Sequence, residues 1–311
     1  MVNRSQRWDG CNRKNFKMRG IAMSETAEKG YTAMEEYLFD LKGYLILESA
    51  LTPEQLKACN ETYDEIKEFA KHMKDRVGWM GNVRIIKNEG QKELHIQQLY
   101  EAGPVWEELI DHPAWYEKVK HFIGTDDPQN FDGHHGPVFI DENFGTIRSQ
   151  GGAIRLHSGG DVGTIRTQYR YHAGKFHCGQ INILIALTDI GPGDGATMVI
   201  PGSHKSNIRH PQAVNYDDDD RMYSSVDDIE GAVECHLKAG DVLMFVDAIA
   251  HGSARRVNEG ERRVAIYRYG PSWGFFRHNL WPSEELLERL TPLRRQIVMP
   301  HKMPERPPKQ S

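Results

Sequence analysis

Cysteine is scarce in this chain: Cys11, Cys59, Cys178 and Cys235 lie far apart, and none belongs to a Cys-x-x-Cys pair. Such spacing speaks against a disulfide framework or a thiolate zinc site and suits reduced thiols in a cytoplasmic protein. Long hydrophobic runs are missing too; no apolar stretch approaches the roughly 18 residues that mark a membrane span. Nor is there a basic excess. A net charge of −5 argues against general binding to nucleic acid or to a membrane surface. What is present is a chain of 311 residues, 39% hydrophobic, long enough to bury a sizeable core.

The first 22 residues carry Arg4, Arg7, Arg13, Lys14, Lys17 and Arg19 against one acid, Asp9, and have no apolar centre. Disorder, or a mis-assigned start ahead of Met23, fits this better than a targeting peptide. Residues 1–30 are therefore expected to be a disordered extension, 31–285 a single domain, and 286–311 a C-terminal helix and tail, with 300–311 loosely held. Within the domain, Phe39 to Leu47 ends in the strand-like run Gly43-Tyr44-Leu45-Ile46-Leu47. A helix start follows: Thr52 caps, Pro53 occupies the first turn, and Gln55 completes a capping box. Leu56, Cys59, Tyr63, Ile66 and Ala70 then recur at helical spacing. A second helix is expected from Val105 to Phe122, around Trp106, Leu109, Trp115 and Val119.

The remainder changes to short apolar runs broken by glycine. Ile181–Leu187, Met198–Ile200, Val242–Val246 and Val264–Tyr269 read as strands, and Gly191, Gly193, Gly195, Gly202, Gly240 and Gly260 as turns. The pattern points to an α+β chain with a mainly β core, helices first and then a sandwich or jelly roll against which they pack. Asp217 to Asp220 is an acidic run in a surface loop, and without an EF-hand pattern it does not point to calcium. No internal repeat is visible.

The chemistry is concentrated in a few blocks. Arg155-Leu156-His157-Ser158-Gly159-Gly160 comes first, then Cys178-Gly179-Gln180 and the stretch Ala186-Leu187-Thr188-Asp189-Ile190-Gly191-Pro192-Gly193-Asp194-Gly195. Pro201-Gly202-Ser203-His204-Lys205 follows, then Gly240-Asp241-Val242-Leu243-Met244-Phe245, and finally His251-Gly252-Ser253 with Glu261-Arg262-Arg263. In this order the blocks resemble the phytanoyl-CoA dioxygenase family of Fe(II)/2-oxoglutarate oxygenases, and the likeness covers most of residues 35 to 280. The Pro-Gly-Ser-His and His-Gly-Ser blocks are its specific part; the opening Gly43 to Glu54 is weak alone.

The resemblance implies a double-stranded β-helix, a cupin-like jelly roll with supporting N-terminal helices. It also implies Fe(II) at the barrel mouth, 2-oxoglutarate as co-substrate, O2, and a small-molecule substrate. Residue by residue, the metal histidines map to His157 and His251, since His172 and His177 lie too near the Pro-Gly-Ser-His turn. Arg262 maps to the residue that pairs with the far carboxylate of 2-oxoglutarate, and Ser253 to a hydroxyl that assists it. Neutral imidazoles suit Fe(II), and a planar guanidinium grips a carboxylate through two parallel bonds. Arg263 competes with Arg262, because adjacent strand residues face opposite ways.

One position departs from the family pattern. Two histidines and one carboxylate form the usual ligand set, with the carboxylate two residues after the first histidine. Here that place is Gly159. Three readings stand open: an oxygenase in which Asp161 or water completes the site, a halogenase in which chloride occupies the vacant place, or a barrel that has lost its metal. Hydroxylation is preferred, since Gly-Gly equally suits a loop requirement. Taken alone, any one histidine is more often a surface or core residue than a ligand. His204 reads as a turn residue, and Tyr169 and Tyr171 as pocket lining or sheet packing, while His134, His135, His172 and His177 receive no metal role. Substrate contacts are expected from residues 89–103, 169–177 and 273–281.

Overall fold

The computed structural model describes residues 30–90, 92–127, 136–160, 164–212, 226–272 and 280–299. The basic extension, His134, His135, Asp161, the Asp217–Asp220 run, Trp273 and residues 300–311 fall outside the described residues.

Helix α1 spans Ala33–Lys42, started by a reciprocal capping box between Thr32 and Glu35 and closed by left-handed Gly43. The apolar run then becomes strand β1, Tyr44–Leu47. Phe39 to Lys42 complete the helix, and Gly43 is the boundary with the strand-like run. Helix α2, Pro53–His72, begins as the sequence predicts, with Thr52 and Gln55 capping each other and Cys59, Tyr63, Ile66 and Ala70 buried along one stripe. The expected single helix from Val105 to Phe122 is broken into α3 (Pro104–Glu108), a 3-10 turn (Leu109–Asp111) and α4 (Tyr116–Ile123). His112 between them is extended because it precedes Pro113, whose ring excludes the helical conformation there.

The element order also differs from the expected helices-then-barrel arrangement. Before α3 the chain forms an antiparallel meander, β2 (Val77–Met80), β3 (Val83–Asn88) and β4 (Glu93–Gln97), so the helices do not simply precede the barrel. The rest is β5 (Val138–Arg148), β6 (Ile154–His157), β7 (Tyr171–His172), β8 (Lys175–Phe176), β9 (Ile181–Ala186) and β10 (Thr197–Val199). It continues with β11 (Val233–Cys235), β12 (Val242–Val246), β13 (His251–Ser253) and β14 (Arg262–Pro271). Helices α5 (Glu284–Arg289) and α6 (Pro292–Val298) close the described chain. Among the described residues no helix is long and apolar enough to cross a membrane.

The strands form an eight-stranded sheet in the order β1-β12-β9-β14-β5-β4-β3-β2 and a four-stranded sheet in the order β11-β10-β13-β6, with β7 and β8 as a separate hairpin. Strand alternation then sorts the side chains. On β14, Arg262, Val264, Ile266 and Arg268 line a cavity between the two sheets. The intervening residues turn to the helices: the Tyr267 hydroxyl donates to the Trp106 carbonyl (2.7 Å) and the Tyr269 hydroxyl to the Ile110 carbonyl (2.8 Å). The helices cover one face of the large sheet and the small sheet covers the other, as in a double-stranded β-helix.

Candidate active site

His157 ends β6 and His251 opens β13, and the two strands pair so that these residues lie directly opposite each other. Cross-strand partners project to the same side, and the two imidazole centroids are 4.0 Å apart. Each ring is oriented in the same manner. His157 Nδ1 bonds the Arg155 carbonyl at 2.9 Å, and His251 Nδ1 bonds the Ile249 carbonyl at 2.7 Å. A carbonyl only accepts, so Nδ1 carries a proton in both rings, and in the neutral form Nε2 carries the lone pair. That tautomer is the one a metal requires, held in place by bonds from the far side of each ring. Burial pushes the His251 imidazole well below its usual pKa; the nearby His157 acts in the same direction, and Asp247 opposes it.

Behind the histidines the cavity, about 80 Å³, is lined by Phe144, Leu184, Phe245 and Ile266 among others and ends in a polar cluster. Arg262 is 2% exposed; its Nη2 donates to Thr197 Oγ1 at 3.1 Å and its Nε has no hydrogen-bond partner among the described residues. Burial lowers its pKa to about 9, with the Arg148 cation the next contributor. Thr146 Oγ1, on the same wall, is buried and also lacks a partner. Arg263 faces the other way, bound by Asp64 (2.6 Å), Glu261 and Asn60 Oδ1 (3.1 Å). Of the two competing arginines, only Arg262 therefore reaches the cavity with donors to spare.

Arg148 was not anticipated. It closes β5 opposite Arg262, its Nε and Nη2 each lie 3.2 Å from Glu93 Oε2, and its Nη1 donates to Ser253 Oγ at 2.6 Å. The period-two series Phe144, Thr146, Arg148 was the available signal, but it acquires meaning only once β5 is known to pair with β14.

The turn after His157 has no room for a side chain at Gly159 or Gly160. Ser158, Gly159 and Gly160 all have positive φ, at 60°, 61° and 73°. A Cβ on Gly159 would lie 2.5 Å from Ala250 Cβ and 3.0 Å from its Cα, and one on Gly160 would lie 2.5 Å from the Ile208 carbonyl carbon. Gly159 N also donates to the Ala248 carbonyl at 3.0 Å, tying the turn to the chain leading into His251. The Pro-Gly-Ser-His turn buttresses the same place. Ser203 Oγ accepts from Ala250 N (2.8 Å) while its hydroxyl donates to the Ile200 carbonyl (2.6 Å). His204 Nε2 donates to the Asp40 carbonyl at the end of α1 (3.0 Å), so His204 secures a helix rather than capping its own turn.

Among the described residues no group of three His, Cys, Asp or Glu side chains could hold a metal ion. The buried Asp247 is engaged elsewhere, its Oδ1 accepting from Asn182 (3.2 Å) and its Oδ2 pairing with Arg166. His172 lies exposed on β7, Tyr171 is exposed beside it, and the Tyr169 hydroxyl donates to Asp40 Oδ1 at 2.6 Å. Of the stretch 89–103, β4 places Glu93 beside Arg148, and packs His95 against Phe144 at a tilt, with centroids 5.0 Å apart.

Fold and site together define a double-stranded β-helix with two histidines paired across its smaller sheet and a buried cation behind them. The family model for phytanoyl-CoA dioxygenase (PhyH) matches residues 39–264, and the chain belongs to that family. It is similar to dioxygenase cdmD of Talaromyces verruculosus, 32% identical over 125 residues, covering 38% of this chain and 35% of that one. That match spans only about a third of the relative. A probable phytanoyl-CoA dioxygenase of Caenorhabditis elegans is 20% identical over 245 residues, 76% of this chain and 75% of the other. Among solved structures, HygX from Streptomyces hygroscopicus with nickel and 2-oxoglutarate bound shares the fold, with a TM-score of 0.60 and 21% identity over 82% of this chain and 94% of that one.

Proposed function

We propose that the chain is an Fe(II)- and 2-oxoglutarate-dependent dioxygenase that hydroxylates a C–H bond of a small organic molecule. The observation that carries this reading is the buried Arg262, which among the described residues has no carboxylate partner and an unused Nε, in the same cavity as two histidines that present Nδ1 to backbone carbonyls. A buried cation left this way is costly unless an anion joins it, and a dicarboxylate reaching from Arg262 to a metal on the histidines supplies that anion. The 2-oxoglutarate held by HygX is in keeping with this. His157 and His251 would hold the iron through Nε2. Arg262 would bind the far carboxylate, with Thr146 and Ser253 as hydroxyl donors.

Together the metal and co-substrate supply the oxidising chemistry: 2-oxoglutarate and O2 give succinate and CO2 while one oxygen atom enters the substrate. The protein's part is orientation and exclusion of water, and Phe144, Leu184, Phe245 and Ile266 give the cavity apolar walls suited to it. Gly159 does not favour halogenation, because its positive φ and its contact with Ala250 account for glycine without any halide. Asp161 or water would complete the metal's coordination. Succinate release under O2, measured with and without chloride while candidate small molecules are screened, tests the reading. Chloride-independent turnover with a hydroxylated product is expected; a chlorinated product, or no oxidation of 2-oxoglutarate, would overturn it.

A further inference from the structure

The cavity contains two buried arginines where one carboxylate anchor needs only one. Arg148 is 1% exposed and lies opposite Arg262 in the β5–β14 ladder. Glu93, 8% exposed, takes two of its N–H groups on a single oxygen at 3.2 Å each. This pairing cancels one positive charge. Arg256, the third cation near Arg262, is paired in turn with Asp194 at 3.0 Å. Among the described residues the charge left without its own ion pair is that of Arg262, which matches one carboxylate.

The bond from Arg148 to Ser253 has a directional consequence. A guanidinium has only donors, so Ser253 Oγ must accept at 2.6 Å. The hydroxyl has one proton, and Arg148 cannot take it, so it is free to point into the cavity that Ser253 lines. A carboxylate is an acceptor and needs a donor there. We propose that Arg148, locked by Glu93, is a positioning residue that makes Ser253 a fixed hydrogen-bond donor to the carboxylate anchored by Arg262. The assignment rests on the 2-oxoglutarate site described above and adds what selects the five-carbon dicarboxylate over a shorter oxo acid.

Calorimetric titration of 2-oxoglutarate into anaerobic Fe(II)-loaded protein tests this. Arg148→Met is combined with Glu93→Gln so that no buried charge is left alone. This double variant and Ser253→Ala should each weaken binding at least about tenfold, the range for a hydrogen bond to a charged group. The triple variant should bind no more weakly than Ser253→Ala, because Arg148 acts through that hydroxyl. Titration with 2-oxobutyrate, which lacks the far carboxylate, should give equal affinity in wild type and double variant. Additive losses in the triple variant, unchanged 2-oxoglutarate affinity in the double variant, or loss of 2-oxobutyrate as well would each overturn the assignment. Failure of the wild type itself to bind 2-oxoglutarate would instead remove the functional reading, and this one with it.

Discussion

Placing a carboxylate where the family pattern has one should damage this protein rather than complete its metal site. Gly159→Asp forces an L-residue to keep φ at 61°, which costs about 1–2 kcal/mol. Its Cβ also meets Ala250 Cβ at 2.5 Å and Cα at 3.0 Å, and the second of these is backbone that cannot rotate away. Relieving such an overlap by local shifts costs about 1–3 kcal/mol more. The total is about 2–5 kcal/mol, a large part of the 5–15 kcal/mol that stabilises typical proteins. At roughly 2–4 °C per kcal/mol the thermal midpoint should fall by at least about 4 °C. Because the overlap arises at Cβ, Gly159→Ala should cost nearly as much as Gly159→Asp. Adding Ala250→Gly should restore part of the loss, leaving the dihedral share and the contact with the residue 250 backbone. Scanning calorimetry of the four variants against wild type measures this. A Gly159→Asp protein as stable as wild type and binding Fe(II) more tightly would refute the reasoning and show the position to be a vacancy for a ligand.

Two further outcomes follow from the buried charges. Arg262→Met should weaken 2-oxoglutarate binding by about 2–4 kcal/mol, yet leave the ligand-free protein as stable as wild type or more so, since it removes an uncompensated buried cation; a marked fall in the ligand-free midpoint would contradict this. Burial lowers the His204 pKa from 6.5 to about 4. The unfolded chain therefore takes up this proton first as pH falls, and stability present above pH 6.5 is lost progressively down to about pH 4, by about 3 kcal/mol in all. Denaturant titrations across that window should show a shallower slope for His204→Gln; parallel curves would mean that His204 ionises normally in the folded state.

The site was legible in the sequence where its residues sit in blocks. His157, His251, Ser253 and Arg262 were all named from the chain, and the fold brings them to one cavity because β6 pairs with β13 and β14 runs along its wall. Arg262 was preferred to Arg263 through the resemblance alone, since strand register is not legible in sequence, and the ion pairs of Arg263 with Asp64 and Glu261 appear only in three dimensions. Arg148 and Glu93 were missed for a related reason: they meet across the β4–β5 ladder, in sequence with no block of its own. Helix α2 was read correctly from its capping box, a local signal. The split between α3 and α4 was missed because apolar spacing outweighed Pro113, which acts on one residue but ends the helix. Gly159 shows the same limit, for a missing carboxylate is visible in the sequence, whereas Ala250 standing in its place is not.

In the proposed site His157 and His251 hold iron beside a 2-oxo acid anchored at Arg262. Anaerobic addition of Fe(II) and 2-oxoglutarate to the whole protein should produce the weak visible charge-transfer band of the chelate, saturating at one of each per chain and absent in His251→Ala. Wild-type protein that gives no band while remaining folded would contradict the account.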